Sequence, residues 1–297
     1  MTSALLFTIF IAALLSTLLY VILKYFQRWE VYNLHGLTIN YLTAASFSFL
    51  SNYTSNLQNL HEIPGFISAA LVIGMLFIVV FYIAALTAQK SGVAVTSIAG
   101  KMSMVIPIIA GVGLYGDKIT FVRLCGIAVA ITAVVLSSIK KENSDSGTGK
   151  RKTSMLWILP VLLFFGSGMV DTCIKISQHY FITEKNQELY LAFLFGSAGF
   201  MGLTASIYQY FRNGISVKLK SIAGGAILGI TNFYSLVFLI QALADPGAES
   251  SVIFAMSNVM VVLISALFAI FLFKEKLNPM NVAGLLLAVL SIYILTF

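Results

Sequence analysis

Long apolar stretches run along the chain, separated by short polar punctuation. Ten of them fall at roughly 3–24, 34–52, 64–88, 93–115, 119–139, 154–178, 189–211, 221–243, 247–273 and 279–297. A helix needs about 20 apolar residues to cross the hydrocarbon core of a bilayer. A barrel strand would alternate its side chains over about ten residues, which these runs do not do. Inside lipid, backbone N–H and C=O groups find no water, so a helix that bonds them internally is the remaining spanning form. The pattern predicts an all-α integral membrane protein with ten transmembrane helices.

The breaks between runs carry helix-start chemistry. Pro64 and Pro279 stand where helices begin and a missing N–H costs nothing. Asp245-Pro246-Gly247 reads as an N-cap followed by Pro, with Glu249 in the first turn where the helix dipole favours an acid. The first run reaches about Leu23, with no Lys or Arg ahead of it, so it reads as a retained helix and not a cleaved signal. One stretch is plainly hydrophilic, Lys140 to Thr153 (KKENSDSGTGKRKT). It divides the chain into residues 1–140, a polar linker at 141–153, and residues 154–297, with five predicted helices on each side.

Composition agrees with this pattern. Hydrophobic residues make up 59% and charged ones 10%, against about 25% charged in a soluble domain. Mean hydropathy is +0.95. A soluble enzyme, a nucleic-acid-binding domain and a disordered chain are all excluded. Net charge is +7, and the position of that charge is what informs. Lys24, Arg28, Lys90, Lys140, Lys141, Lys150, Arg151, Lys152, Arg212, Lys218, Lys220, Lys274 and Lys276 fall in the odd-numbered connections. Lys118, Arg123 and Lys185 fall in the even ones. Basic residues mark the cytoplasmic side. Both termini are therefore expected outside and the central linker in the cytoplasm. Cys125 and Cys173 sit within apolar runs, and His35, His61 and His179 at segment ends. Neither set has metal-ligand or disulfide spacing, so no metal and no cofactor is expected.

The halves resemble each other. Ala85-Leu86 opens a stretch ending in Tyr115-Gly116-Asp117-Lys118-Ile119, and Ala242-Leu243 opens one ending in Phe273-Lys274-Glu275-Lys276-Leu277. Gly126 and Gly284 follow the two acids at equal spacing, and Lys24 and Lys175 hold matching places near the ends of helices one and six. Five is an odd number, so the second half must enter the membrane with the opposite polarity. That is the inverted-repeat plan of many secondary transporters. A duplication kept for packing alone gives the same pattern.

On these residues the chain resembles the EamA-like transporters of the drug/metabolite transporter superfamily. The resemblance spans nearly the whole chain. It rests on the acidic-Lys-aliphatic corners with their following glycines, on Lys24 and Lys175, and on Pro107 in helix four. The first corner has Asp117 where the family usually has Glu, and the second half has no proline near Ser265. The resemblance implies a secondary active or facilitative transporter of small metabolites, amino acids or related compounds, working by alternating access. It also implies export across a multi-pass cell membrane, the bacterial inner membrane. A sugar or sugar-phosphate transporter of the same fold is the alternative. A membrane-embedded enzyme or a channel is the further one. Walker A, G-x-S-x-G and H-E-x-x-H motifs do not occur, so no enzyme activity is expected and movement is downhill or coupled to an ion gradient, with protons as the candidate partner.

Of the 18 Lys and Arg residues all but Lys101 and Lys175 fall in connections, and the exceptions nominate a site. Lys101 lies deep in helix four, where a central Lys costs roughly 2.5–3.5 kcal/mol on insertion scales. It suggests a site for a substrate carboxylate or phosphate, or a structural ion pair. Asn258, 157 residues on, is its symmetry partner in helix nine and suits either substrate or interhelical bonding. Asp171 is the acid deepest in an apolar run, with Lys175 four residues on along the same face. The two suit coupling or gating, a substrate amine, or a self-neutralising pair. Tyr82, Asn232, Tyr234 and Gln241 on helices three and eight are expected to complete the lining. Tyr20, Tyr25, Tyr208 and Tyr210, near helix ends, are expected in the interfacial belt.

Overall fold

Once a helix has satisfied its own backbone, what remains is how its faces are shared between neighbours and lipid. The computed structural model describes all residues except 1, 52, 59–62, 116–119, 139–156, 182–185, 244, 246–249, 276 and 297. The described residues form helices α1 (Ser3–Arg28), α2 (Asn33–Ser51), α3 (Tyr53–Gln58), α4 (Ile63–Lys90), α5 (Val93–Met102), α6 (Val105–Tyr115), α7 (Phe121–Ser138), α8 (Ile158–Tyr180), α9 (Gln187–Asn213), α10 (Leu219–Leu243), α11 (Ser250–Phe271) and α12 (Pro279–Thr296), and no strand. Seven helical stretches are long and apolar enough to cross a membrane: α1, α9, α10, residues Phe66–Lys90 of α4, Val93–Gly111 across α5 and α6, Ile158–Ser177 of α8, and Val252–Phe271 of α11. This is the make-up of a multi-pass helical membrane protein. Leu124–Ser138 and Pro279–Leu295 are apolar but shorter. α2 carries Asn33, His35, Asn40 and several hydroxyls, which keep it out of that set.

Each predicted run has a helix at its place, with two differences of substance. A short helix, α3, follows α2. The fourth run is not continuous: α5 and α6 are separated by a turn at Ser103-Met104. Pro107 accounts for it. It has no N–H to give the Ser103 carbonyl four residues back, and its ring crowds that carbonyl. The bonding tightens instead, with Ile106 N–H donating to the Ser103 carbonyl at 2.9 Å and Met104 N–H to the Lys101 carbonyl at 3.5 Å. The Asp117 corner, the 141–153 linker, Glu249 and Lys276 lie outside the described residues. At the second corner, Asn278 precedes Pro279, the first residue of α12. Its Oδ1 accepts from Asn281 N–H at 2.7 Å, and Asn281 Oδ1 accepts from Asn278 N–H at 3.2 Å. That reciprocal bond is a capping box in asparagine.

Large apolar side chains line the outer faces at helical spacing. Leu71, Met75, Val79 and Tyr82 make one exposed stripe on α4, Leu162, Phe165 and Met169 another on α8, and Leu263, Leu267 and Ile270 a third on α11. Lipid tails are as apolar as these residues, so helix association depends on close packing. α2 packs between α9 and α10, α7 against α12, α4 against α8 and α9, α1 against α10 and α11, and α5 against α8 and α11. Glycines set these approaches. A Cβ on Gly225 would lie 2.5 Å from the Gly36 carbonyl oxygen, and one on Gly229 would lie 2.6 Å from that of Asn40. Gly199 and Gly202 bring α9 onto Leu42 and Thr38 of α2. On α12, a Cβ at Gly284 would lie 2.7 Å from Ser137 N and 2.9 Å from the Ala133 carbonyl oxygen of α7. Backbone cannot yield as a side chain does. Gly284→Leu is expected to cost about 1–3 kcal/mol, the range for overpacking, read as a fall in the melting temperature of the purified protein.

Candidate functional site

The break between α5 and α6 concentrates the polar chemistry of the interior. Lys101 lies in the last turn of α5, where the helix dipole favours a cation. Ser103, buried in the turn, donates from Oγ to the Gly100 carbonyl at 2.6 Å and to Asp171 Oδ2 of α8 at 3.3 Å. Lys101 and Asp171 lie close enough for their charges to interact, and Asp171 also acts on Tyr20 of α1. The Tyr20 hydroxyl stands 2.8 Å from where a Gly100 Cβ would be, so glycine at 100 makes room for the phenol. On the far side of the turn, Asn258 Nδ2 of α11 lies 3.7 Å from Met104 Sδ. Four helical segments thus bring a cation, a carboxylate, a phenol, a hydroxyl and an amide to one place.

Some of these groups keep accessible surface. Asp171 is exposed although helices surround it. It is not on the lipid face: two residues on from Met169, it is turned by about 200° at roughly 100° per residue. Lys175, one turn further, is exposed on the same face as Asp171. On α11, Phe254 is 45% exposed yet stands nine residues from lipid-facing Leu263, about 180° around. Asn258, one turn along, is half-buried. These side chains are turned away from the lipid-facing stripes of α8 and α11 yet keep accessible surface, on the α6 side of the break.

The α5 side is sealed. Ser97 and Ser265, both fully buried, share a hydrogen bond between α5 and α11. Val21, Val93, Ala94, Ala266 and Ala269 pack around them. Beyond these, Lys24 of α1 forms a salt bridge with Glu275, and its ammonium lies 4.8 Å from the centre of the Phe273 ring. Glu275 Oε1 also accepts from Val93 N–H at 3.2 Å, placing an anion at the start of α5. Gly92, with φ +109°, passes against that carboxylate where a side chain would not fit.

The residues chosen from the sequence divide clearly. Lys101 and Asp171 come together, with Asn258 beside Met104. Tyr82 continues the outward stripe of α4. Asn232 is buried against α2, where its Nδ2 donates to Asn40 Oδ1 at 3.4 Å. Gln241 lies seven residues beyond Tyr234, on the exposed face of α10. Tyr82, Asn232 and Gln241 therefore stand away from the break. Tyr20 differs from its expected place: it is deep in the bundle facing Asp171, not in the interfacial belt. Ser103 and the Lys24–Glu275 link were not among the predicted site residues. Position along an apolar run does not say which way a hydroxyl points, and 251 residues separate Lys24 from Glu275.

No family model matches the sequence. An uncharacterized protein of Haemophilus influenzae is 22% identical over 294 residues, covering 96% of both chains. A solved crystal structure, described only as that of a protein, matches with a TM-score of 0.57 at 11% identity, again over 96% of both chains. That likeness shows a shared fold over nearly the full length.

Proposed function

We propose that this chain is a secondary transporter of small charged metabolites, built as two inverted five-helix repeats and working by alternating access. The observation that carries the reading is the broken α5–α6 helix holding Lys101 near Asp171, with accessible, inward-turned side chains on one side of the break and packed contacts on the other. Discontinuous helices that bare polar groups at a site are a transporter device. Charges inside a bundle, facing one another and a wet cavity, mark substrate or ion pathways.

The packing supports the repeat. In this reading α1, α2, α4, the α5–α6 pair and α7 correspond in order to α8, α9, α10, α11 and α12. Exchanging the halves turns α1 on α10 into α8 on α4, and α2 on α10 into α9 on α4. It turns α1 on α11 into α8 on α5 and α6. The α2–α9, α7–α12 and α5–α11 contacts map onto themselves. The contacts of α1 with α4 and α5, of α2 with α4, of α5 with α12 and of α7 with α8 have no counterpart of similar extent. The EamA-like resemblance fits this arrangement, with ten crossings, termini outside and the linker in the cytoplasm. In that orientation the sealed end faces the cytoplasm and the accessible side of the break faces outward.

Lys101 takes the carboxylate or phosphate of the substrate, since its ammonium is a compact donor of three hydrogen bonds. Asp171 balances that charge in the empty site and exchanges it for a substrate amine or a proton. Amino acids and related compounds match both groups, and sugar phosphates match Lys101 alone. The purified protein, reconstituted in liposomes preloaded with unlabelled solute, is expected to accumulate the labelled solute by counterflow for at least one amino acid or sugar phosphate. A panel of both classes with no counterflow removes the transport reading.

A further inference from the structure

We propose that Lys24 and Glu275 form the gate on the sealed side, and that α5 is the lever tying this gate to the site at Lys101. The proposal rests on the transport reading and adds the moving part to it.

Three contacts close this end, and all of them join the two halves of the chain. Lys24 with Glu275, Val93 N–H with Glu275 Oε1, and Ser97 with Ser265 each pair a residue before the linker with one after it. Rocking one half against the other must break them together. Their chemistry suits reversible opening. A largely buried ion pair comes close to break-even against two separately hydrated charges. Separating it into water therefore costs little, provided water reaches both partners. Lys24 and Glu275 keep 19% and 15% of their side-chain surface exposed, so water is already at hand. A purely apolar plug would have no such exchange to offer.

The lever follows from the length and ends of α5. Glu275 holds its first N–H, at Val93, and Lys101 sits in its last turn. Eight residues separate these points, about 12 Å at 1.5 Å per residue. Gly92 precedes the helix and the Pro107 break follows it, so α5 is a rigid rod between two non-helical joints. A substrate anion that draws Lys101 away from Asp171 moves the same rod that Glu275 pins. Occupancy of the site and release of the gate are thereby joined through one short helix.

The test reads accessibility, not transport. Ala94 lies behind the gate at 2% exposure. Ala94→Cys is placed in a Cys125→Ser, Cys173→Ser background, and the protein is held in nanodiscs that leave both faces open to a membrane-impermeant maleimide. Labelling is expected to be slow with Glu275 intact. It should quicken about tenfold or more in Glu275→Gln, as expected when a local opening equilibrium controls access to a buried group. Glu275→Asp keeps the charge and is expected to stay within about twofold of the parent on the same argument. Unchanged labelling in Glu275→Gln overturns the gate. Equal acceleration in Glu275→Asp overturns it too, because packing and not charge would then hold the end shut. Should Glu275→Gln not give folded protein, Lys24→Gln carries the measurement with the same two outcomes. The expected labelling without counterflow of any solute would keep the gate and remove the transporter.

Discussion

Lys101→Ala is expected to abolish counterflow and also to weaken the fold, and Lys101→Ala with Asp171→Ala to recover the fold without recovering counterflow. Removing one partner of a buried charge pair leaves the other stranded in low dielectric, at a cost of about 3–5 kcal/mol. Part of that is relieved here, because Asp171 keeps accessible surface and a hydrogen bond from Ser103. Removing both partners takes away the stranded charge, so the melting temperature should return towards wild type. Substrate binding has no such compensation, since the anion then meets no cation. The double variant thus separates two roles that the single variant confounds. A purely structural Lys101 predicts that the double variant transports; a binding Lys101 predicts that it does not.

Asp171→Asn carries the second large effect. The amide keeps an oxygen to accept from Ser103 Oγ, and nearly the same volume, but it neither ionises nor exchanges a proton. Uptake driven by a pH gradient is expected to vanish, while counterflow without a gradient persists at a reduced rate. Asp171→Glu restores an ionisable group and is expected to recover part of the gradient response. Gradient-driven uptake in Asp171→Asn at the wild-type rate would remove Asp171 from coupling and leave it as the counter-charge of Lys101.

Much of the architecture was legible in one dimension. Depth in a membrane is written as hydropathy, so the apolar runs located the helices to within a few residues, and the two charged groups deepest in those runs, Lys101 and Asp171, proved to be neighbours. Rotation about the helix axis is written far more faintly. Tyr82 is polar, yet it extends the spacing of Leu71, Met75 and Val79, and that stripe is the available sign that it faces lipid. Asn232 is a polar residue in an apolar run, which makes it a lining candidate. Its partner is Asn40, on a helix whose position only the packing reveals. The distance of Tyr20 from its helix end suits the interface, while Gly100, on another helix, leaves the space that admits its ring. A proline inside a helix signals a lost hydrogen bond, but the place of the turn, at Ser103-Met104, follows from which carbonyl loses its donor.

The same limit explains the sealed end. In sequence, Glu275 and Lys24 are separate features of the repeat, at a corner and near a helix end. That they meet, and that Glu275 also holds the start of α5, depends on three segments far apart in sequence. Only Gly92, forced to positive φ beside the carboxylate, carries a local trace of that meeting.

The central claim is that a positive charge at residue 101, reachable from the accessible side of the break, is what the substrate binds. Its most direct test is counterflow by Lys101→Cys, in the Cys125→Ser, Cys173→Ser background, before and after reaction with aminoethyl methanethiosulfonate, which restores a side chain of nearly lysine length ending in an ammonium. The account predicts little or no counterflow before the reaction and substantial recovery after it, with substrate slowing the modification. Counterflow at the parent rate before the reagent is added would contradict it.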